Sequence, residues 1–463
     1  MARHFVPVDR DTSFLLPPSV QEWLPEGHLA RFVVEIVEQL DLAPLEAAYT
    51  GRGSRAYHPG MLLGLLFYGY ATGVFSSRKL EAASHDSVAF RFICANQHPD
   101  HDTIAAFRKR FLPHLTRYFV EVLLIAGQTG LLKLGTVSLD GSKMKANASK
   151  NKALSYGHAT KLEKQLQREV HALVAMAEDA DREDEASHVD IPAELARRED
   201  RLVAISDAKR QIEARAAERY EAECAAFEEK IRKRDAKAKE TGKKPRGGVF
   251  KPPIPGPREK DQINLTDAES RIMPRSGGGF DQAYNIEACV DTRSLLIVGQ
   301  FATQAANDVQ QLEPALKELK ALPKALGTVQ ELLADAGYFS APNVEAAATS
   351  NIEPLIAIGR EAHNLPLEER FRKPGPPPPE DAAPLERMRY RLKSPEGRAL
   401  YGKRKSTVEP VFGQIKRVLG FRQFSLRGLA ATSGEWTLVA TAYNLRRMFQ
   451  LDVSRQREAA LSA

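Results

Sequence analysis

The hydrophobic pattern changes period several times along the chain. Leu29 to Leu40 (LARFVVEIVEQL) places apolar residues at helical spacing, and Pro59 opens the run MLLGLLFYGYATGVF, whose Gly and Tyr content suits a buried helix better than a membrane span. SSRKLEAAS, DSVAFRFIC and DTIAAFRKRFLPHL follow, each opened by a Ser or Asp that can cap a helix. This succession predicts short helices joined by tight turns, similar to a helix-turn-helix DNA-binding arrangement, with Arg108, Lys109 and Arg110 projecting from the last. A merely solvated basic helix face accounts for those three residues equally well.

A short apolar run, TVSLD, then predicts a strand ending at Asp140. From Ala159 to Glu240 the chain turns to Ala, Glu, Lys and Arg, with Leu162, Leu166, Val170 and Leu173 on one helical face and Leu195, Leu202, Ile205 and Ile212 on another. That is the pattern of a long antiparallel helical hairpin, broken at DADREDEASHVDIP and closed by the Pro/Gly-rich TGKKPRGGVFKPPIPGPREK. Strand signals return at Tyr284–Val290 and Leu295–Phe301. A helix follows from Asn307, capped by Asn307 or Asp308, then the strand VQELLAD ending at Asp335, a helix over 341–348 and the strand EPLIAI. With the hairpin set aside, the order is β-β-β-α-β-α-β. RKPGPPPPEDAAP reads as a loop, while 387–419 and 435–450 read as helical.

The expected organisation is a helical N-terminal DNA-binding domain (1–128), an α/β domain formed by 129–158 and 261–450, an inserted hairpin with its linker (159–260) and a frayed tail (451–463). Net charge is +6 with a pI near 9.0, which raises the odds of a polyanionic partner without fixing the fold. Cys94, Cys224 and Cys289 are far apart, odd in number and without a CxxC pair, so a disulfide framework or structural zinc site is not expected. With no apolar run near membrane-spanning length and no signal-peptide core at MARHFVPVDRD, a cytoplasmic protein without membrane contact is expected.

Three acids carry the candidate chemistry. Asp140 and Asp335 close strands, and Glu409 lies in RKSTVEPVFGQIKR near a helix start. Converging carboxylates repel unless a cation neutralises them, and hard oxygen ligands suit Mg²⁺ or Mn²⁺; two such ions can activate a water or 3′-hydroxyl and stabilise the leaving oxygen of a phosphodiester. Read singly, each acid has a structural alternative: a turn at Asp140-Gly141, a helix start at Asp335, a capping box at Ser406-x-x-Glu409. Between Gly397 and Arg427, eight basic residues face the lone acid Glu409, a surface suited to tracking phosphates. His98, Asp100, His101 and Asp102 look like a turn before a helix capped by Asp102 or Thr103, and Asp291 looks like a turn residue. Asp267 is a weak further candidate.

SLDGSKMKANAS, NLTDAESRIM with GGGFDQAYNIEACVD, LLADAGYFS and STVEPVFGQIKR together resemble the DDE transposases of bacterial insertion sequences, in the subgroup with a long helical insertion after the first Asp. The resemblance implies a ribonuclease-H-like mixed sheet flanked by helices, with Asp140, Asp335 and Glu409 as catalytic metal ligands for two Mg²⁺ (or Mn²⁺) ions. It also implies cleavage at the terminal inverted repeats of double-stranded DNA and transfer of 3′-OH ends to target DNA. The alternative is a catalytically inactive, transposon-derived DNA-binding protein. The family signature around its Glu runs Tyr, two residues, Arg, three residues, Glu, six residues, Lys. Here Glu409 and Lys416 keep the last spacing, Lys405 occupies the Arg position, and Tyr401 and Arg404 each stand one residue early. Lys405 and Lys416 are the carry-overs; Arg404, Arg417, Arg108, Arg110 and Lys143 complete the expected DNA contacts. The long Ala/Glu/Lys/Arg helices further suggest a homodimer or larger homo-oligomer.

Overall fold

The computed structural model describes residues 19–49, 56–183, 190–242, 250–275, 277–359, 375–379 and 381–462. The acidic break expected at 179–192, the Pro/Gly linker and the Pro-rich loop therefore lie partly outside the described residues. The chain divides into two compact units, one of residues 1–144 with 284–463 and one of residues 145–283.

The first unit opens with helices α1 (Leu29–Glu38), α2 (Ala43–Glu46), α3 (Pro59–Thr72), α4 (Ser77–Asp86), α5 (Val88–Ile93), α6 (His101–Phe111) and α7 (Leu115–Gln128). Every residue of α3 except Met61 and Thr72 is buried, which explains its unbroken apolar run, and Gly73 ends it in a left-handed conformation (φ 85°). Among the described residues no single helix is long and apolar enough to cross a membrane.

The α/β part contains β1 (Leu134–Lys145), β5 (Phe280–Asp291), β6 (Ile297–Thr303), α10 (Leu312–Lys320), β7 (Gly327–Ala334), α11 (Ala341–Thr349) and β8 (Glu353–Ile356). The strand order is β6-β5-β1-β7-β8. β6 is antiparallel to β5, whereas β7 is parallel to both β1 and β8. Backbone bonds from Thr292 to Thr136 and from Ala146 to Gln282 tie opposite ends of β1 and β5 together, so that pair is antiparallel. The sheet is mixed. Residues Asp281 to Asp291 of β5 are all buried, as expected of a strand covered on both faces.

Three helices follow, α12 (Pro384–Lys393), α13 (Pro395–Gly402) and α14 (Val408–Gly413), where a continuous helical stretch was expected over 387–419; Pro395 and a turn over 403–407 interrupt it. α14 runs into a π-helical segment, Gln414–Val418. The last helix, α15 (Leu429–Ser462), packs on α3, α7 and β6. Asn444 on α15 accepts from the Ile297 amide (2.8 Å) and donates to its carbonyl (2.7 Å), so the edge of β6 is satisfied by a side chain. The tail expected to fray after 450 instead continues this helix, with Arg455 donating to the Thr129 carbonyl (2.9 Å).

The second unit holds β2 (Ala153–Ser155), α8 (Tyr156–Glu183), α9 (Ile191–Thr241), β3 (Gln262–Asn264) and β4 (Arg271–Pro274). α8 and α9 pack along each other around Leu166, Ile205, Ala208 and Ile212, and the β2–β3 ladder adds Leu154 and Ile263 to that core. β4 pairs with residues 280–283 of β5. The unit thus extends beyond the 159–260 expected for the insertion.

Candidate active site

Asp140 does not end its strand. β1 continues to Lys145, and Asp140 sits within it with Gly141 beside it. An ideal Cβ at residue 141 would stand 2.7 Å from Glu287 Oε1 and 3.1 Å from Asp308 Oδ1, so only glycine leaves room for those two carboxyl groups. Asp335 follows β7 directly and caps the short turn after it, accepting from the Gly337 amide (2.7 Å). Burial, and then the charge of Asp335, push the Asp140 carboxyl up to about 6, with Arg404 and the Gly141 amide opposing and Asp308 adding. The two strand-borne acids are therefore neighbours.

Glu409 lies in the first turn of α14. Its link to Asp140 is Arg404, whose guanidinium reaches Asp140 Oδ2 and Glu409 Oε1 at 3.7 Å each. The Arg404 side chain is 11% exposed, and its Nε is buried without a hydrogen-bond partner. Lys405, expected to take this place, is exposed.

Lys416 stands over the same strand. Its ammonium donates to Ser142 Oγ and to the Lys143 carbonyl (3.0 Å); burial, and then Lys143, lower it to about 8. Lys143 in turn pairs with Asp308 (3.1 Å). Arg417 is exposed, and Arg110 is exposed with its guanidinium 5.2 Å from the centre of the Tyr49 ring.

Arg108 is a correction. It is buried on the inner face of α6 and donates to Tyr70 Oη and the Phe75 carbonyl (3.1 Å each), so it braces the helical core instead of facing DNA. The helical period puts 107, 108 and 111 inward together, and a basic run alone does not reveal which member turns in. Nearby, Asp100, not Asp102 or Thr103, caps α6 (2.8 Å to the Thr103 amide), His101 pairs with Glu81, and His98 stacks on His85. Asp291 closes its turn by accepting from Ser294.

Two acids at the centre were not singled out from sequence. Asp308 read only as a helix cap. Glu287 lies inside β5, fully buried, with Asn285 donating to Oε1 (2.8 Å) and Tyr338 to Oε2 (2.5 Å); burial is the main cause raising it to about 8. A Glu between Ile286 and Ala288 in a segment read as a strand was the available signal.

The donor chemistry at Asp140 and Asp335 fits a hard cation, because each carboxylate otherwise carries the repulsion of the other. Glu409 is turned to Arg404, and among the described residues no three His, Cys, Asp or Glu side chains are already gathered to hold a metal.

Two family models match the chain: one described as Transposase domain (DUF772), over residues 18–110, and one described as Transposase DDE domain, over residues 253–445. The chain belongs to the DDE transposases. The DDE match takes in Asp335 and Glu409, while Asp140 lies outside both matched segments. No curated protein and no solved structure matches the chain. Membership makes this a nucleic-acid-cleaving transposase acting on DNA, in a family that normally uses divalent metals.

Proposed function

We propose that this transposase cuts the phosphodiester bonds at the terminal inverted repeats of its element and joins the freed 3′-OH ends to target DNA. The observation that carries the reading is that Asp140 of β1 and Asp335 at the end of β7 are neighbours, and that Arg404 touches both Asp140 and Glu409 of α14. On this reading the sheet is a ribonuclease-H-like one. Asp140, Asp335 and Glu409 would hold Mg²⁺ or Mn²⁺, two ions in all, with Glu409 joining once Arg404 moves from between the acids. When bound, the ions would supply charge stabilisation at the attacking and leaving oxygens.

The protein's own groups have separable tasks. Asp140 must be ionised to serve, so activity should fall as pH drops below about 6. Arg404, released from the acids, has guanidinium donors to offer a phosphate, and Lys143 and Lys416 add positive charge along the same strand. Exposed Lys405 and Arg417 would track the DNA backbone outside the centre, contributing binding that weakens with salt.

The test is strand cleavage of DNA carrying the repeats that flank the gene, with and without Mg²⁺. Metal-dependent nicking at the repeat ends is expected, lost in Asp140→Asn and in Glu409→Gln. Wild-type rates in either variant would overturn the assignment, and tight repeat binding without cleavage in any divalent ion would point to a DNA-binding protein only.

A further inference from the structure

We propose that Asp308 belongs to the reaction centre as a positioning residue that holds the Lys143 ammonium beside Asp140 and Asp335. The inference rests on the transposase reading above. Asp308 precedes a short 3₁₀ turn (Val309–Gln311), where an Asp ordinarily serves as a cap, yet its side chain makes no capping hydrogen bond. It turns to the sheet instead. Its Oδ1 accepts from Asn285 Nδ2 (2.7 Å) and from Lys143 Nζ (3.1 Å).

The position is built on both sides. Asn285 is fully buried on β5, and the same amide nitrogen donates to Glu287, so one rigid group fixes where Asp308 sits. Asp308 Oδ1 fills the space a side chain at Gly141 would need, directly beside Asp140. Asp308 Oδ2 and Asp335 Oδ1 both lie within 4 Å of the point where a Gly337 Cβ would stand, at 3.8 and 2.9 Å. Asp308 thus reaches between the two strand-borne acids from a third element. A freely solvated Lys-Asp pair contributes little because two flexible side chains must be ordered to form it. Here Asn285 and the glycine have already ordered the acid, so the only chain left to fix is that of Lys143, whose side chain is 25% exposed. An ammonium so held is a point charge suited to a non-bridging oxygen of the phosphate being cut.

The full-length protein is assayed for Mg²⁺-dependent cleavage of repeat DNA as wild type, Asp308→Asn, Lys143→Met and the double variant. Each single variant should lose roughly 10- to 100-fold in rate, as misplacement of a charge at a reacting phosphate does. The double variant should be no slower than the slower single one, because both changes remove one unit. Lys143→Arg should restore part of the rate, a result that a purely structural role would not give. Wild-type rates in Asp308→Asn or in Lys143→Met overturn the proposal, as do losses that multiply in the double variant. A higher Mg²⁺ requirement from Asp308→Asn in the Lys143→Met background also overturns it, by making Asp308 a metal ligand. If Asp308→Asn fails to fold, Lys143→Met and Lys143→Arg alone decide. Absence of cleavage by wild type removes the transposase reading and this inference together, whereas an indifferent Asp308 beside a dead Asp140→Asn removes only the inference.

Discussion

Glu287 offers a test of the site's electrostatics that needs no DNA. Its carboxyl is completely buried, beside Asp308 and hydrogen-bonded to Asn285 and Tyr338, and it is raised from 4.5 to about 8 chiefly by burial. A carboxyl whose folded pKa exceeds its unfolded one stabilises fully below the unfolded value. That stability is lost as pH climbs toward the folded value. Glu287 should therefore weaken the fold progressively between about pH 4.5 and 8, after which its contribution is flat. At about 1.4 kcal/mol per pKa unit, the whole shift corresponds to roughly 5 kcal/mol between the two ends of that window. Glu287→Gln keeps the shape and removes the titration, so it should lack this slope, and at pH 9 it should be more stable than wild type by a few kcal/mol. Trp436 reports on the spot directly, because its buried indole donates to the Glu287 carbonyl (3.2 Å). With Trp23, the other tryptophan, replaced by Phe, urea midpoints followed by Trp436 fluorescence at pH 5 to 9 give the two profiles. Profiles that run parallel within about 1 kcal/mol would refute the argument that Glu287 is held neutral at pH 7.

Two further substitutions probe the site and its support. Arg404→Ala removes the group facing Asp140 and Glu409, so the repeat-cleavage rate should drop at least about 100-fold, the scale of a lost charge-stabilising donor, while exposed Lys405→Ala should change it by less than about threefold at physiological salt. Equal effects would show that the extra residue before Glu409 has not moved the arginine's role. Gly397→Ala places a Cβ 1.8 Å from the Arg391 carbonyl oxygen and should cost at least about 2 kcal/mol in a thermal melt, whereas Gly402→Ala, with nothing within 4 Å, should be neutral or slightly stabilising.

Much of the architecture was legible because period and punctuation agreed. The helical hairpin announced itself through two apolar faces, and Leu166, Ile205 and Ile212 are indeed its core. β7 and α11 sit where VQELLAD and the helix expected over 341–348 placed them, with Asp335 directly after β7. What failed was local direction. Asp140-Gly141 has turn-like composition, yet the chain runs straight through it, because β5 supplies backbone partners along β1 and the glycine is demanded by neighbouring carboxyl groups. Arg108 and Lys109 are adjacent in a basic run and face opposite environments. Asp308 and Glu287 were illegible for a different reason: their chemistry depends on Asn285 and Lys143, contacts that join β5, β1 and the loop after β6.

The one-residue slip around Glu409 shows where spacing arguments hold and where they do not. Glu409 and Lys416 are seven residues apart on α14 and its π-helical continuation, where helical backbone fixes their relation; Lys416 meets β1 directly, and Glu409 reaches Asp140 only through Arg404. Arg404 itself lies in the turn over 403–407 that precedes α14, a segment with no period to preserve. An added residue in a helix rotates everything beyond it by about 100°, and in a strand by about 180°, but in a turn it can be looped out. Tyr401, in α13, and Arg404, in the turn after it, keep their sequence separation, and Arg404 reaches Asp140 and Glu409, while Lys405, at the nominal position, is left exposed. The motif is therefore two rigid pieces joined by a tolerant one. Contact, not nominal spacing, therefore distinguishes the two basic residues: Arg404, and not the exposed Lys405, touches Asp140 and Glu409.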